Sequence, residues 1–319
     1  MRIVALAGAY IVGAITAAQA RANGELAGFA GSGTEAAVIS FGSGLVILSI
    51  MALANAKIRA GIRRVIDGVR TRSFPRWQVL GGVLGGFFVG VQTSAVPVIG
   101  VALFSVAVVA GQSVNSLVVD RIGLGPAGIS HITPLRVLSA GCAVAGVLVA
   151  VSGRLSGATL AVLPIVLAFI AGALIAVQQA INGRVGVTAQ NAFSAAWFNF
   201  AFGTAALLSA GVFVILSTGA TVESTAGAPW WSYVGGALGV IFIATSVWVV
   251  PRIGVLLFAL ISISGQLSGA LLLDFIAPTA GTQLGPQLFI GIGLTFIAIA
   301  LSTLPRMWGR RLRSGQTVG

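Results

Sequence analysis

Long apolar stretches separated by short polar connections run through nearly the whole chain. Ten of these stretches have about 20 residues, the length of helix that crosses roughly 30 Å of hydrocarbon. They cover residues 3–21, 34–54, 77–96, 98–118, 134–152, 158–181, 192–216, 230–250, 253–273 and 286–305. Pro97 and Pro251 interrupt two long apolar runs and predict tight turns there. The pattern predicts an all-α membrane protein with ten transmembrane helices.

The second half of the sequence repeats the first. Gln19 and Asn23 recur as Gln178 and Asn182 at an offset of 159, and after the second helix the offset becomes 154. Further matches are Gly13 with Gly172, Phe41 with Phe200, Gly44 with Gly203, Gly85 with Gly239, Gly100 with Gly254, Gly111 with Gly265 and Asp120 with Asp274. Five helices per copy is an odd number, so we expect two inverted repeats, at residues 1–153 and 154–305, followed by a basic cytoplasmic tail at 306–319.

The first stretch also has features of a secretory signal. Arg2 precedes an apolar run that ends in Ala18-Gln19-Ala20, a sequence compatible with signal cleavage. Its counterpart around Gln178 lies in the middle of the chain, where a signal peptide has no place. We therefore interpret the first stretch as a membrane helix that is retained.

Composition and charge exclude an ordinary soluble domain and orient the chain. Hydrophobic residues make up 57% of the 319 positions, charged residues 8%, and the net charge is +12. If the connection after the second helix is cytoplasmic, 16 of the 18 basic residues lie on that side, and only Arg21 and Arg154 do not. This bias predicts cytoplasmic N- and C-termini. Because the basic residues lie between hydrophobic runs, we expect no nucleic-acid partner. An anionic-lipid or regulatory site is the alternative interpretation of the basic connection.

Catalytic and metal-binding motifs are missing from the sequence. It contains no HExxH motif, no Cys/His cluster and no glycine-rich phosphate loop, so we expect no enzyme activity, no catalytic residue, no cofactor and no metal. All six acidic residues fall at span ends or in connections. A buried proton-carrying carboxylate is therefore not expected.

Neutral amides are the polar groups that remain inside the predicted helices. Residues four apart share a helix face, so each Gln/Asn pair directs two amides into the same space. The candidate substrate-binding residues are Gln19, Asn23, Gln178, Asn182, Gln112 and Gln266. Amides donate and accept hydrogen bonds, which suits a polar or cationic solute. The alternative is that they only join helices, a common role for amides in membranes.

The ordered motif Gln-x-x-x-Asn-Gly, Phe-x-x-Gly, Gly-Gly-x-x-Gly, Pro-x-x-Gly, Gly-Gln and Asp resembles the YdcZ-type family of the drug/metabolite transporter superfamily. The resemblance covers nearly the whole chain twice. It implies an inner-membrane exporter with ten helices, similar to two antiparallel small multidrug-resistance subunits fused into one chain. The first copy departs from the motif at Val98, where the second copy has Arg252. The membrane glutamate of small multidrug-resistance proteins has no counterpart at a comparable depth.

These observations favour a secondary transporter that exports small molecules by alternating access between two inverted repeats. The expected partners are the lipid bilayer and a small-molecule substrate of cationic or amphiphilic character. A homodimer is compatible with the sequence. Two alternatives stay open: a passive, channel-like facilitator, and a lipid-binding membrane scaffold that does not transport.

Overall fold

The computed structural model describes residues 2–152, 162–219, 221–253 and 255–314, and this part of the chain is almost entirely helical. Eleven α-helices follow one another along it. They are α1 Arg2–Phe29, α2 Gly33–Ala54, α3 Ala56–Arg70, α4 Gly81–Ile99, α5 Val101–Arg121, α6 Pro134–Ser152, α7 Val162–Ala189, α8 Ala192–Thr218, α9 Gly235–Ile253, α10 Val255–Ile276 and α11 Pro286–Ser314. Short 3₁₀ segments, Arg76–Leu80 and Trp230–Val234, lead into α4 and α9.

Eight helices within the described residues are long and apolar enough to cross a membrane. They are Ile3–Phe29, Gly33–Ala54, Arg76–Ile99, Val101–Arg121, Pro134–Ser152, Val162–Ala189, Ala192–Thr218 and Phe258–Ile276. Two shorter apolar helices, Trp230–Ser246 and Pro286–Leu301, coincide with the eighth and tenth predicted stretches. The expectation of a helical membrane protein is thus confirmed. Length and apolarity support eight membrane-spanning helices among the described residues, against the ten that were predicted.

Two local predictions were wrong. The basic connection after the second helix is not a loop, because residues 56–70 form α3, with Asn55 as its N-cap accepting the backbone N–H of Lys57 at 2.9 Å. The predicted tight turns at Pro97 and Pro251 are not formed either, because Pro97 lies inside α4 and Pro251 lies inside α9, which runs to Ile253. Helix α4 continues to Ile99 and ends at Gly100, whose φ of +80° is a conformation that glycine adopts without strain.

Glycines allow the helix backbones of the two copies to touch. A Cβ atom added to Gly13 would lie 1.9 Å from the carbonyl oxygen of Ser262, and one added to Gly172 would lie 2.1 Å from that of Val108. The contacts therefore join α1 to α10 and α7 to α5. Gly265 and Gly111 lie on the opposite helix of each pair and approach in the same way. A Cβ added to Gly265 would lie 2.0 Å from the carbonyl oxygen of Tyr10, and one added to Gly111 would lie 1.9 Å from that of Phe169. Each helix pair can approach this closely only without side chains at these positions.

The buried centre of the protein includes the first half of α5. Every residue from Val101 to Gly111 is buried. The N-terminus of α5 has its backbone donors satisfied by Asp274 on α10, whose carboxylate oxygens accept the N–H groups of Val101 at 3.0 Å and Ala102 at 2.7 Å. Asp274 is only 1% exposed. A carboxylate from one copy thus caps a helix of the other.

Some sequence predictions fall outside the described residues. The boundary between repeats at 153/154, Arg154, the first four residues of the stretch at 158–181, and the end of the tail at 315–319 belong to this group. The same is true of Gly254, the partner of Gly100 in the repeat.

Candidate functional site

A pair of aromatic rings marks the place where α2 and α8 meet. Phe41 and Phe200, which are equivalent in the repeat, have ring centroids 4.9 Å apart. Two glycines make room for them: a Cβ at Gly44 would lie 2.2 Å from Phe200, and a Cβ at Gly203 would lie 2.3 Å from Phe41. The close approach of α2 and α8 at this point depends on small residues facing large ones.

Gln19, Asn23, Ser40 and Gln92 form a polar group at the junction of α1, α2, α4 and α9, which we call the first amide cluster. Gln19 Nε2 donates to the carbonyl oxygen of Gly235 at 2.9 Å, and Asn23 Nδ2 donates to Gln92 Oε1 at 2.9 Å. Asn23 is fully buried, and its Oδ1 has no hydrogen-bond partner among the residues that the structure describes. An unsatisfied buried acceptor is costly, so this oxygen marks a polar point inside the bundle.

Gln178, Asn182 and Asn199 form the second amide cluster, at the junction of α4, α7 and α8. Asn199 Oδ1 accepts two hydrogen bonds, from Gln178 Nε2 at 2.7 Å and from Asn182 Nδ2 at 3.1 Å. Gly85 allows α4 to approach, since a Cβ there would lie 2.3 Å from Gln178 Nε2. Both predicted Gln/Asn pairs therefore direct their amides into one space each.

The first amide cluster borders the aromatic pair. A Cβ added to Gly239 would be 3.1 Å from Phe200 and 3.2 Å from Gln19 Nε2, so this cluster lies next to the ring. In the second cluster, Asn199 immediately precedes Phe200 on α8, but consecutive residues of a helix face different directions. A Cβ added to Gly85, the residue equivalent to Gly239, would meet Gln178 and Asn199.

The structure places Gln112 and Gln266 outside both clusters. Gln112 Nε2 donates to Gln179 Oε1 at 2.9 Å, between α5 and α7. Gln266 is half-buried on α10, and the residue equivalent to Gln179 in the first copy is Ala20, which offers no amide partner. These two predicted site residues are therefore not brought together with the other four.

Sequence comparison of the two copies missed Gln92 and Asn199. Their counterparts are Ser246 and Ser40, so neither amide recurs at the offset that identified the other pairs. Ser246 donates to Phe242 O in its own helix, so it does not form a hydrogen bond equivalent to the one between Asn23 and Gln92. The feature of the sequence that could have identified Gln92 and Asn199 is that each is an isolated amide inside an apolar span.

A cavity of about 410 Å³ lies between α4, α7 and α8, with Thr34 of α2 also in its wall. Gly85 contacts Gln178, and the next residue, Gly86, lines the cavity. The remaining wall is mostly apolar and includes Val83, Phe87, Val91, Leu163, Leu167 and Leu207. Val83, Phe87 and Leu163 of this wall are exposed. The amide side chains of the two clusters are not among the lining residues, so the mostly apolar wall suits an apolar group.

Charged side chains lie at helix ends. Arg21 Nη1 pairs with Glu25 at 2.5 Å, and Arg21 Nε donates to the carbonyl oxygen of Ala277 at 3.2 Å. Arg184 donates in a similar way to the carbonyl oxygen of Gly123 at 2.7 Å. Within the described ranges, no three His, Cys, Asp or Glu side chains are placed to hold a metal ion.

A set of long apolar helices with amides gathered inside it defines a multi-pass membrane protein. The sequence profile of the family described as "Putative inner membrane exporter, YdcZ" matches residues 4–149 and 163–301. The chain belongs to this family of the inner membrane, and the two matched segments agree with a two-repeat form. A comparison with curated proteins finds no match.

Proposed function

We propose that the protein is a secondary exporter of cationic or amphiphilic small molecules, with its binding site at the two amide clusters and the Phe41–Phe200 pair. The observation that carries the proposal is the gathering of both Gln/Asn pairs into hydrogen-bonded clusters between helices, with Gln19 of the first cluster next to the Phe200 ring. Aromatic rings attract cations and apolar groups, and amides orient polar groups. Substrate sites of transporters built from repeats commonly lie at the repeat interface.

The proposed architecture has ten membrane helices in two inverted repeats with both termini in the cytoplasm. It rests on the odd number of helices per copy and on the positive charge of the chain, which is concentrated in one set of connections. Reciprocal glycine contacts between α1 and α10 and between α7 and α5 are consistent with symmetry-related copies.

Unequal packing in the two copies supports an alternating-access mechanism. Helix α4 packs against both α1 and α7, whereas α9 packs against α1 without a comparable contact to α7 among the described residues. A Cβ at Gly24 would meet Val96 of α4 at 2.8 Å, but one at the equivalent Gly183 would meet Pro126. On the proposed topology, the α1–α4 contact closes the periplasmic side. If the α1–α4 contact were lost and the equivalent contact between α7 and α9 were formed in the other copy, the periplasmic side would open.

The transport proposal is tested with purified protein in liposomes. Lipophilic cations and neutral amphiphiles are first screened by thermal stabilisation, and the best stabiliser is then used in flux assays. Removing one amide hydrogen bond in the Q19A or Q178A variant should reduce saturable flux about three- to tenfold. Q283A, at an exposed position in a connection, should leave it unchanged.

Three outcomes would contradict the proposal. Flux without saturation and without counterflow would indicate a passive facilitator. Unchanged flux in a well-folded Q19A/Q178A variant would exclude the amide site. Loss of thermal stability in both variants, with normal flux at low temperature, would show that the amides only join helices.

Topology is tested separately with reporters in two connections. A reporter inserted between Thr218 and Trp230 should read periplasmic, because this connection carries Glu223 and no basic residue. One inserted after Ile122 should read cytoplasmic. Alkaline phosphatase activity and green fluorescence report the two sides, and the same side for both insertions would overturn the inverted arrangement.

A further inference from the structure

We propose that one side of α3, the side that carries Arg59, Arg63 and Arg70, binds the headgroups of anionic phospholipids along the cytoplasmic edge of the protein. Helix α3 is strongly amphipathic, and the transport site does not use it. Seven basic residues and a single acid, Asp67, occupy α3 and its C-terminal connection. The basic residues are Lys57, Arg59, Arg63, Arg64, Arg70, Arg72 and Arg76, and all are exposed.

One face of α3 is fixed to the rest of the protein. Ile58, Gly61, Val65 and Gly68 are buried, and the helix packs against α7 and α8. The close approach shows at Gly61, where an added Cβ would lie 2.3 Å from Ser194 Oγ. The remaining faces of α3 are therefore held in a defined orientation at the end of the helical bundle.

A stripe of arginines follows one side of this fixed helix. Arg59, Arg63 and Arg70 are four and seven residues apart, so their side chains project from the same side. Arg59 is anchored by donating to the carbonyl oxygens of Ala52 and Leu53 at the end of α2. Arg63 and Arg70 make no side-chain hydrogen bond or ion pair within the described part of the chain. Both guanidinium groups are free to bind an external anion.

The chemistry next to the stripe indicates a lipid rather than a soluble anion. Ile62, Ile66 and Val69 lie between the arginine stripe and the buried face, and they are only partly covered. Apolar residues beside basic ones are typical of helices that lie in the membrane interface, with arginines at the headgroups. Trp77, which is 50% exposed, follows shortly after α3 and matches the preference of tryptophan for this region. Phosphatidylglycerol has the negative charge and acyl chains that this surface would bind.

The experiment measures thermal stability of the full-length protein in a non-ionic detergent during titration with dioleoylphosphatidylglycerol or dioleoylphosphatidylcholine. The wild-type protein should be stabilised more by phosphatidylglycerol, and added salt should weaken the difference. The R63Q/R70Q variant should need roughly 30-fold more phosphatidylglycerol for half of the effect. K57Q/R121Q loses the same charge at exposed positions outside the stripe and should stay close to wild type.

The two lipids and the two double variants distinguish a lipid-binding surface from a general response to charge. Equal stabilisation by both lipids, or an unchanged titration of R63Q/R70Q, would overturn the proposal. The same applies if inorganic phosphate alone stabilises the protein as well as phosphatidylglycerol does. Equal losses in R63Q/R70Q and K57Q/R121Q would show an effect of net charge instead of a binding surface.

Discussion

Alanine at Gly111 is expected to destabilise the protein strongly. The new Cβ would lie 1.9 Å from the carbonyl oxygen of Phe169, and that oxygen belongs to the backbone of α7. Backbone cannot rotate away as a side chain can, so α5 and α7 must separate. We expect a loss of about 3 kcal/mol or more in the free energy of unfolding. Tryptophan fluorescence during heating in detergent would show it as a transition temperature lower by roughly 5 °C or more.

The matched control is alanine at Gly42 or Gly141. Both glycines lie inside helices, and an added Cβ would meet no described atom within 4 Å apart from its chain neighbours and the nearby backbone of its own helix. Because alanine favours helix over glycine, these variants should be as stable as wild type or more stable by about 0.5–1 kcal/mol. A G111A variant that behaves like G42A would show that α5 and α7 are farther apart than the structure places them.

Asp274→Ala is the second substitution with a large expected effect. It removes the acceptors of the Val101 and Ala102 N–H groups and leaves the N-terminus of α5 unsatisfied in a buried place. Hydrogen bonds to a charged group contribute about 1.5–3 kcal/mol each, so a loss of at least about 3 kcal/mol is expected. D274N retains one acceptor oxygen and should fall between wild type and D274A in the same thermal assay.

Asp120 provides the control, because it is the equivalent residue in the other copy. Its side chain is 37% exposed and pairs with Arg136 at 2.5 Å. Partly exposed ion pairs contribute little, so D120A should cost no more than about 1 kcal/mol. Equal losses in D120A and D274A would contradict the assignment of a capping role to Asp274 alone.

The helices could be predicted from the sequence because membrane spans obey a simple rule of length and apolarity. Helix α3 was missed because its charge suggested a loop, although Ile58, Ile62, Val65 and Val69 recur at helical spacing. The end of α4 was misplaced because proline was given more weight than glycine. Gly100 ends the helix since its positive φ, not the ring of Pro97, redirects the chain.

The candidate site was only partly predictable. Repetition identified Gln19, Asn23, Gln178 and Asn182, since a shared role in two copies leaves a shared pattern. Gln92 and Asn199 were missed because each copy supplies the partner of its amide pair from a different helix, α4 in one case and α8 in the other. That choice depends on three-dimensional packing, which a comparison of the copies along the sequence cannot show.

The pairing of α1 with α10 sets a condition on how the chain is made. Helix α1 ends at Phe29 and α10 begins at Val255, so ribosomes synthesise more than two hundred residues between the two partners. At ordinary elongation rates this takes roughly 10–45 s. During that time the backbone around Gly13 lacks the helix that packs against it in the finished protein. The interface between α1 and α10 is therefore completed only near the end of translation.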